Sequence, residues 1–211
     1  MTQAIADGIA KNNNITLLSL NKNVVALFAL EDEVREGVTE TVSTLREGGV
    51  KEFIMLTGDN EGVAKKISQR MGIDSYRANL LPEQKLSALE EYVGKEGRTV
   101  AMVGDGVNDA AVLTRADVGI AMGGIGTDVA IESADVVLVQ DNFKKIAELQ
   151  TIAKKVLSVA RQNFTLWAVV NAIGLYFVFS GVFDPSKAAA YNFLTDFIPI
   201  ANSLRLIRFR A

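Results

Sequence analysis

Two apolar runs near the start of the chain are typical of strands, and the apolar residues that follow have the 3.6-residue period of a helix. Ile15–Leu20 and Val24–Leu30 are apolar and rich in β-forming residues, and the polar triplet between them predicts a hairpin. A run of valines and leucine at helical spacing comes next and ends at Gly48-Gly49, where a helix is expected to stop.

Short apolar runs and helical patterns then alternate as far as residue 139. The expected strands are Phe53–Thr57, Thr99–Val103, Val118–Met122 and Val136–Val139, the helices between them begin near Asn60, Pro82 and Asn108, and a glycine-rich turn follows at 123–126. Repeated strand–loop–helix units predict an α/β fold, a doubly wound parallel sheet with helices on both faces.

The last third of the chain contains two long apolar segments. Phe164–Phe183 holds 20 residues without a charge, which is the length needed to cross about 30 Å of hydrocarbon. After a turn at 184–187, Ala188–Leu204 is apolar except for Asp196 and contains the helix breaker Pro199. These segments predict a transmembrane helical hairpin, with a soluble helical hairpin as the alternative.

Charge changes sign where the apolar tail begins. Residues 1–143 carry 13 Lys and Arg against 22 Asp and Glu, whereas residues 144–211 carry 9 against 3. We therefore expect a soluble domain over 1–143, and a basic linker helix with two transmembrane helices over 144–211. Basic residues flank the outer ends of both spans, so both termini and the soluble domain are expected on the cytoplasmic side. The acidic front half argues against nucleic acid as a partner.

The chain has no histidine and no cysteine. Disulfides, thiolate and imidazole metal ligands, and every histidine-based triad are therefore excluded within it. Its chemistry has to depend on carboxylates, hydroxyls, amides and lysines.

Two polar clusters follow expected strands, and ligands of parallel sheets bind at that edge. They are Thr57-Gly58-Asp59-Asn60 and the run from Gly104 to Asp109. Glycine lets backbone amides approach a phosphate closely, and two carboxylates four residues apart suit a hard cation such as Mg²⁺. Taken singly, each cluster also fits an ordinary turn or helix cap, and Lys85 fits a solvated helix face.

The order of these pieces resembles the phosphorylation domain and last two membrane helices of the heavy-metal-transporting P-type ATPases, whose phosphorylation domain has a haloacid dehalogenase-like fold. Thr57-Gly58-Asp59 looks like the family's TGD motif, the run from Gly104 to Asp109 like its GDGxND motif, and Leu81–Lys85 like the stretch with its phosphate-binding lysine. Further segments that resemble this branch are Leu30-Glu31-Asp32 with Arg35, Gly119–Asp135, Arg161-Gln162-Asn163 and Asn202–Leu206.

The resemblance implies ATP-driven cation transport across a membrane, with Mg²⁺ as cofactor and ATP as substrate of the complete pump. It implies these site residues: Thr57, Gly58, Asp59 and Lys85 at the transferring phosphoryl group, Asp105 and Asp109 at Mg²⁺, and Gly104, Gly106 and Asn108 in the orienting loop.

One part of the family pattern is missing from this sequence. The family's nucleophile is the aspartate of DKTGT, and no aspartate here is followed two residues later by Thr or Asp. The resemblance also leaves out the actuator domain, the ATP-binding domain and the first six membrane helices. We therefore expect the chain to be inactive alone, with the nucleophile supplied by an upstream part of the pump or by a separate chain.

Two other functions stay open at this point. The first is a non-catalytic pseudoenzyme that regulates a complete pump or assembles with it. The second is a soluble-type phosphatase of the same superfamily.

Candidate ligands of the transported ion lie in the apolar tail, at Asn171, Thr195 and Asp196. A carboxylate within a span is costly and is therefore a functional candidate; alternatively, Asp196 lies at the membrane edge and pairs with Lys187 or Arg205. Asn171 stands where copper-type pumps have asparagine, whereas a carboxylate ligand favours a harder divalent ion. The two cues disagree and leave the metal unassigned.

Overall fold

The computed structural model describes residues 14–30, 34–105, 108–122, 128–140 and 142–209. Gly106, the expected glycine-rich turn at 123–126 and the hinge residues Glu31-Asp32 lie outside this part of the chain. The chain divides into two compact units, Met1–Lys145 and Ile146–Ala211, which are described in turn.

In the first unit, strands and helices alternate along the chain. The strands are β1 (Asn14–Leu20), β2 (Asn23–Leu30), β3 (Ile54–Leu56), β4 (Ser75–Arg77), β5 (Ala101–Gly104), β6 (Val118–Met122) and β7 (Val136–Leu138). The helices are α1 (Val38–Glu47), α2 (Glu61–Met71), α3 (Pro82–Glu90), α4 (Ala110–Arg115) and α5 (Asp128–Ser133). The predicted α/β class is confirmed, although β4 and α5 are additions that the sequence pattern did not predict.

The expected amino-terminal hairpin is present. β1 and β2 pair antiparallel, with Leu20 opposite Asn23. Asn21 and Lys22 have φ angles of 48° and 66°, and a two-residue type I′ turn requires such positive values at both central positions.

The remaining strands pair in parallel, as the alternation predicted. β3 pairs with β4, and β6 lies between β5 and β7. Among the described strands, these pairings form a two-stranded and a three-stranded group, whereas we expected one continuous sheet.

A repeated contact fixes the start of three parallel strands. Asp74, Asp117 and Asp135 each lie directly before a strand, and each accepts a hydrogen bond from a backbone amide at the start of the neighbouring strand. The donors are Phe53 N, Val100 N and Gly119 N respectively, each at 2.8 Å. The amide of Phe53, followed by the guanidinium of Arg46, holds the pKa of the Asp74 carboxyl below its usual range.

The core of the first unit centres on α4 and β6. Leu113 and Ala121 are almost fully buried, and Met102, Ala134 and Val137 pack against them. Gly119 permits this packing because a Cβ there would lie 2.5 Å from the backbone oxygen of Leu113.

The second unit contains most of α6 (Lys144–Phe179), followed by α7 (Pro185–Thr195), α8 (Phe197–Ser203) and a 3₁₀ turn at Leu204–Leu206. Of the described helices, α6 is long and apolar enough to cross a membrane, in agreement with the first predicted span. It ends at Phe179, four residues earlier than the uncharged run suggested. Gly181, at φ 74°, and Val182 donate backbone hydrogen bonds to Val178 and Phe177, which is a Schellman ending.

The second predicted span, Ala188–Leu204, is not one continuous helix, and the prediction needs correction here. It divides into α7 and α8 at Asp196. Pro199 lacks the amide hydrogen that would bond the carbonyl of Thr195, and its ring would clash with that carbonyl in a regular helix. The regular helical hydrogen bonding is therefore interrupted between the two short helices.

The helices of the second unit are joined by polar contacts near one end and by an aromatic contact further along. Asn202 Nδ2 donates to Asn163 Oδ1, and Asn163 Nδ2 donates to Ser203 Oγ, both at 2.8 Å. Tyr191 Oη donates to the Val170 carbonyl at 2.9 Å, and a Cβ at Gly174 would lie 2.8 Å from the Tyr191 ring. Small residues and interhelical hydrogen bonds of this kind are typical of helix packing in membranes.

We expect Leu113→Ala to lower the free energy of unfolding of the first unit by about 2–5 kcal/mol, because it leaves a cavity in a close-packed site. Urea-dependent pulse proteolysis of the full chain in detergent would measure the change. Leu81→Ala is the control: Leu81 is 66% exposed, so its variant should stay within about 0.5 kcal/mol of the parent. Equal losses for the two variants would contradict this core.

Candidate functional site

The loop after β3 brings together two of the predicted phosphoryl-site residues. Thr57 Oγ1 donates to Asp59 Oδ2 at 2.8 Å and accepts from Asp59 N at 3.1 Å. Both side chains are half-buried, while Gly58 between them is exposed. These two bonds hold the Thr57 hydroxyl in one orientation at the carboxyl end of the strand.

Backbone contacts fasten this loop to the segment that leads into α3. Leu80 N donates to Thr57 O at 3.0 Å, and Asn79 N donates to Asp59 O at 2.7 Å. Asn79 has a left-handed φ of 55°, a conformation in which asparagine is enriched among non-glycine residues. Neither Asn79 nor Leu80 was among the residues predicted from the sequence. The asparagine itself was the available sign of a left-handed turn at this position.

Lys85 lies in the first turn of α3 and reaches the second predicted cluster. Its Nζ is 2.9 Å from Asp109 Oδ1, and only 17% of the lysine side chain and 12% of the aspartate side chain are exposed. A mostly buried ion pair is unusual for a lysine on a solvated helix face. The structure therefore disfavours the surface-residue alternative for Lys85.

The loop after β5 holds the other two acidic residues in different ways. Asp105 is exposed and accepts hydrogen bonds from Asn108 N and Asn108 Nδ2, each at 3.1 Å. Asp109 is buried at the start of α4. The amide of Asn108 therefore orients the Asp105 carboxylate, and Lys85 orients that of Asp109.

The donor set at this loop fits Mg²⁺, which prefers carboxylate oxygens and keeps several waters. A Cβ at Gly104 would lie 2.9 Å from Asp109 Oδ2, so the missing side chain gives that carboxylate its place beside the end of β5. Only one or two carboxylates are needed for a magnesium ion that also binds phosphate. The residues present meet that requirement.

The predicted site residues of the first unit thus form two groups. Thr57, Gly58 and Asp59 lie in the loop after β3, and Lys85 joins the group after β5 through Asp109. Gly106 lies outside the described residues.

The three candidate ion ligands of the apolar tail lie around one small cavity. Asn171, Thr195 and Asp196 line a space of about 10 Å³, together with Trp167 and Pro199. Such a volume holds about one water-sized sphere. Asn171 Nδ2 donates to the Trp167 carbonyl at 2.8 Å, which leaves its amide oxygen as the remaining polar atom.

The alternative pairing of Asp196 is absent from the described part of the chain. Lys187 pairs with Asp184 at 3.1 Å, and Arg205 donates to Gln162 and Asn202. Neither cation is therefore the partner of Asp196.

The comparisons with known proteins agree with one another on the family. A model of the haloacid dehalogenase-like hydrolases matches residues 4–117. The chain is 42% identical to a zinc-exporting P-type ATPase of Mycobacterium marinum and 41% identical to a manganese-exporting P-type ATPase of Mycobacterium leprae. Each match covers 92% of this chain but only 26% and 27% of those proteins, so the chain spans about a quarter of their length.

A solved structure agrees with the sequence relatives. The crystal structure of a zinc-transporting PIB-type ATPase in the E2.Pi state matches 97% of this chain and 33% of its own, with a TM-score of 0.81 and 32% identity. The likeness thus extends over both compact units.

Lys85→Met should reduce the free energy of unfolding by about 1–3 kcal/mol, because it leaves a buried carboxylate without its charged partner. Adding Asp109→Asn to that variant should restore part of the loss, because the neutral amide no longer needs the ammonium group. Urea-dependent pulse proteolysis of the full chain would give all terms of this double-mutant cycle.

The control for the cycle is Arg98→Met. Arg98 pairs with Glu52 at 3.3 Å, but 51% and 44% of their side chains are exposed, so the loss should stay within about 1 kcal/mol. Additive effects of the Lys85 and Asp109 changes would contradict the coupling.

Proposed function

The chain belongs to the haloacid dehalogenase-like hydrolases and, within them, to the heavy-metal P-type ATPases, and on that basis we propose that it supplies the phosphoryl-binding and magnesium-binding residues of an ATP-driven exporter of a divalent metal. The observation that carries the proposal is the ion pair of Lys85 with Asp109, which puts an ammonium group 2.9 Å from one of the two predicted magnesium ligands.

Thr57 and Lys85 bind and orient the transferring phosphoryl group. The Thr57 hydroxyl, held by Asp59, can turn its hydrogen from the carboxylate to a phosphoryl oxygen. The Lys85 ammonium carries three donors, so it can keep Asp109 and still bond an incoming oxygen. Phosphoryl transfer is catalysed mainly by such positioning and charge stabilisation.

Asp105 and Asp109 are the residues that would hold Mg²⁺, with Asn108 fixing the Asp105 carboxylate. The bound ion neutralises charge on the phosphoryl oxygens during transfer. Lys85 and Asp109 then keep opposite charges close together in a mostly buried place, where their electrostatic effect is larger than in water.

The nucleophilic aspartate comes from outside this chain, on a strand that adds to the edges of β3 and β5. Among the described strands, β3 is bonded only to β4, and β5 is bonded on one side only, to β6. Ile54–Leu56 are only half-buried, whereas Ile120–Met122 in β6 are buried. An added parallel strand would pair these edges and cover the apolar residues, and it would end beside Thr57 and Lys85.

The transported ion binds at Asn171, Thr195 and Asp196. Three oxygen donors around a cavity of about 10 Å³ suit a bare cation better than a hydrated one. The carboxylate favours a divalent ion such as the zinc and manganese that the two relatives export.

The protein is integral to the membrane, with both ends of the chain and the first unit on the cytoplasmic side.

We expect Mg²⁺-dependent binding of inorganic phosphate to the purified chain, measured by isothermal titration. Asp105→Asn should weaken it about tenfold or more, a change of about 1.4 kcal/mol. The control, Glu96→Gln, removes the same charge from an exposed loop and should bind as the parent does.

The same preparation should not hydrolyse p-nitrophenyl phosphate, because no nucleophile motif is present. Turnover that disappears in Asp105→Asn would instead favour the soluble phosphatase. Phosphate binding without any need for Mg²⁺ would contradict the assignment of Asp105.

Asp196→Asn should reduce binding of Zn²⁺ or Mn²⁺ to the detergent-solubilised chain by about tenfold or more, because a neutral amide is a weaker ligand for a divalent ion. Equilibrium dialysis with radioactive metal would measure it. Asp184→Asn, which removes a carboxylate from the turn before α7, should leave the affinity unchanged. Equal loss in both variants would point to non-specific attraction by surface charge.

A further inference from the structure

A polar surface of the second unit lies along α6, and its lining residue Leu166 also lines the small cavity at Asn171. It is a groove of about 760 Å³ whose lining includes Lys154, Ser158, Arg161, Gln162, Thr165 and Leu166. The spacing of three and four residues places them on one face of the helix. The groove therefore runs along the helix axis. Its cations are Lys154 and Arg161, and its apolar lining side chains are Leu157 and Leu166.

The groove lies where α6 passes from charged to uncharged sequence. Arg161 is the last charged residue before the 20 uncharged residues of Phe164–Phe183. At about 1.5 Å per residue, Leu166 is about 7–8 Å further along the axis than Arg161. This distance falls within the roughly 5–10 Å of the boundary between lipid headgroups and acyl chains.

Positive charge collects at this end of the span. Arg205 Nη1 donates to Gln162 Oε1 at 3.3 Å and to Asn202 Oδ1 at 3.0 Å, so a third cationic group lies beside Gln162, one of the lining residues. Arg161 forms no salt bridge with a carboxylate of the described residues. At the other end of the span, Lys187 is neutralised by Asp184 at 3.1 Å.

We propose that this groove binds an anionic phospholipid, with the phosphate between Lys154, Arg161 and Arg205 and the upper acyl chain along Leu166. Basic residues at the membrane surface attract anionic lipids. Gln162 and Thr165 supply neutral polar groups between Arg161 and Leu166, and Ser158 lies between Lys154 and Arg161. A free phosphate ion would use only the basic part, whereas a phospholipid matches the whole groove. The inference depends on the membrane placement of α6 but not on the phosphoryl site.

The single tryptophan of the chain provides a local probe. Trp167 is 53% exposed and lies six residues after Arg161, which is about 9 Å along the helix. Bromine on an acyl chain quenches tryptophan fluorescence at short range. The full chain would be reconstituted in vesicles of phosphatidylcholine with a small fraction of brominated phosphatidylglycerol or, in parallel, of brominated phosphatidylcholine.

We expect the brominated phosphatidylglycerol to quench Trp167 at about fivefold lower mole fraction than the brominated phosphatidylcholine. This preference corresponds to the attraction of an anionic lipid by about one lysine or arginine near the membrane surface. The preference should disappear in the double variant Lys154→Gln/Arg161→Gln. It should persist in Lys187→Gln, which removes a basic residue from the other end of the span. High salt should reduce it, because the lining cations are exposed.

Three results would overturn the proposal. Equal quenching by the two lipids would show that the groove has no preference for anionic lipid. A preference that survives in the double variant would place the lipid elsewhere. Fluorescence that neither lipid quenches would mean that α6 does not lie in the bilayer, whereas magnesium-dependent phosphate binding would stand unaffected.

Discussion

The ion pair between Lys85 and Asp109 connects the two groups of parallel strands in the first unit. Among the described strands, no hydrogen bonds join the pair β3–β4 to the group β5–β7. Other contacts join them, among them the packing of α3 on α4 and the exposed pair of Arg98 with Glu52. Lys85 and Asp109 provide a mostly buried link between these helices, and Glu90 and Arg115 provide an exposed one at 3.0 Å. The buried link is made by two residues of the proposed phosphoryl site. Changes at that site are therefore expected to alter the fit between the two halves of the domain.

Sequence pattern predicted the elements that have enough length to show a period. The amino-terminal hairpin, the helices that begin at Glu61 and Pro82, and the strand Val118–Met122 all agree with the structure. β4 was missed because Ser75–Arg77 is too short to show alternation and, unlike the equally short β3 and β7, is not an apolar run. The site motifs were readable because their residues are contiguous, whereas the contact of Lys85 with Asp109 joins positions 24 apart. Such pairing is set by the packing of helices, which no local pattern contains.

The apolar tail illustrates a different limit of sequence reasoning. Hydrophobicity predicted two spans of similar kind, but the structure contains one long helix and one divided helix. Pro199 was visible as a breaker, yet its effect appears one turn earlier, at the carbonyl of Thr195. The division leaves Thr195 and Asp196 where a regular helix stops, with Asn171 of α6 lining the same cavity. The break thus leaves the carbonyl of Thr195 without the amide donor that a residue other than proline at position 199 would provide.

The aspartates that accept from Phe53, Val100 and Gly119 have a consequence for how the domain is assembled. Each contact closes a segment of only 21, 17 or 16 residues, so the loop entropy lost on forming it is small. Short closures favour fast folding, and each one completes a strand–helix–strand unit that is contiguous in the chain. A ribosome releases such units in order. The parallel groups can therefore form one after another during synthesis, before the long apolar helix has left the exit tunnel.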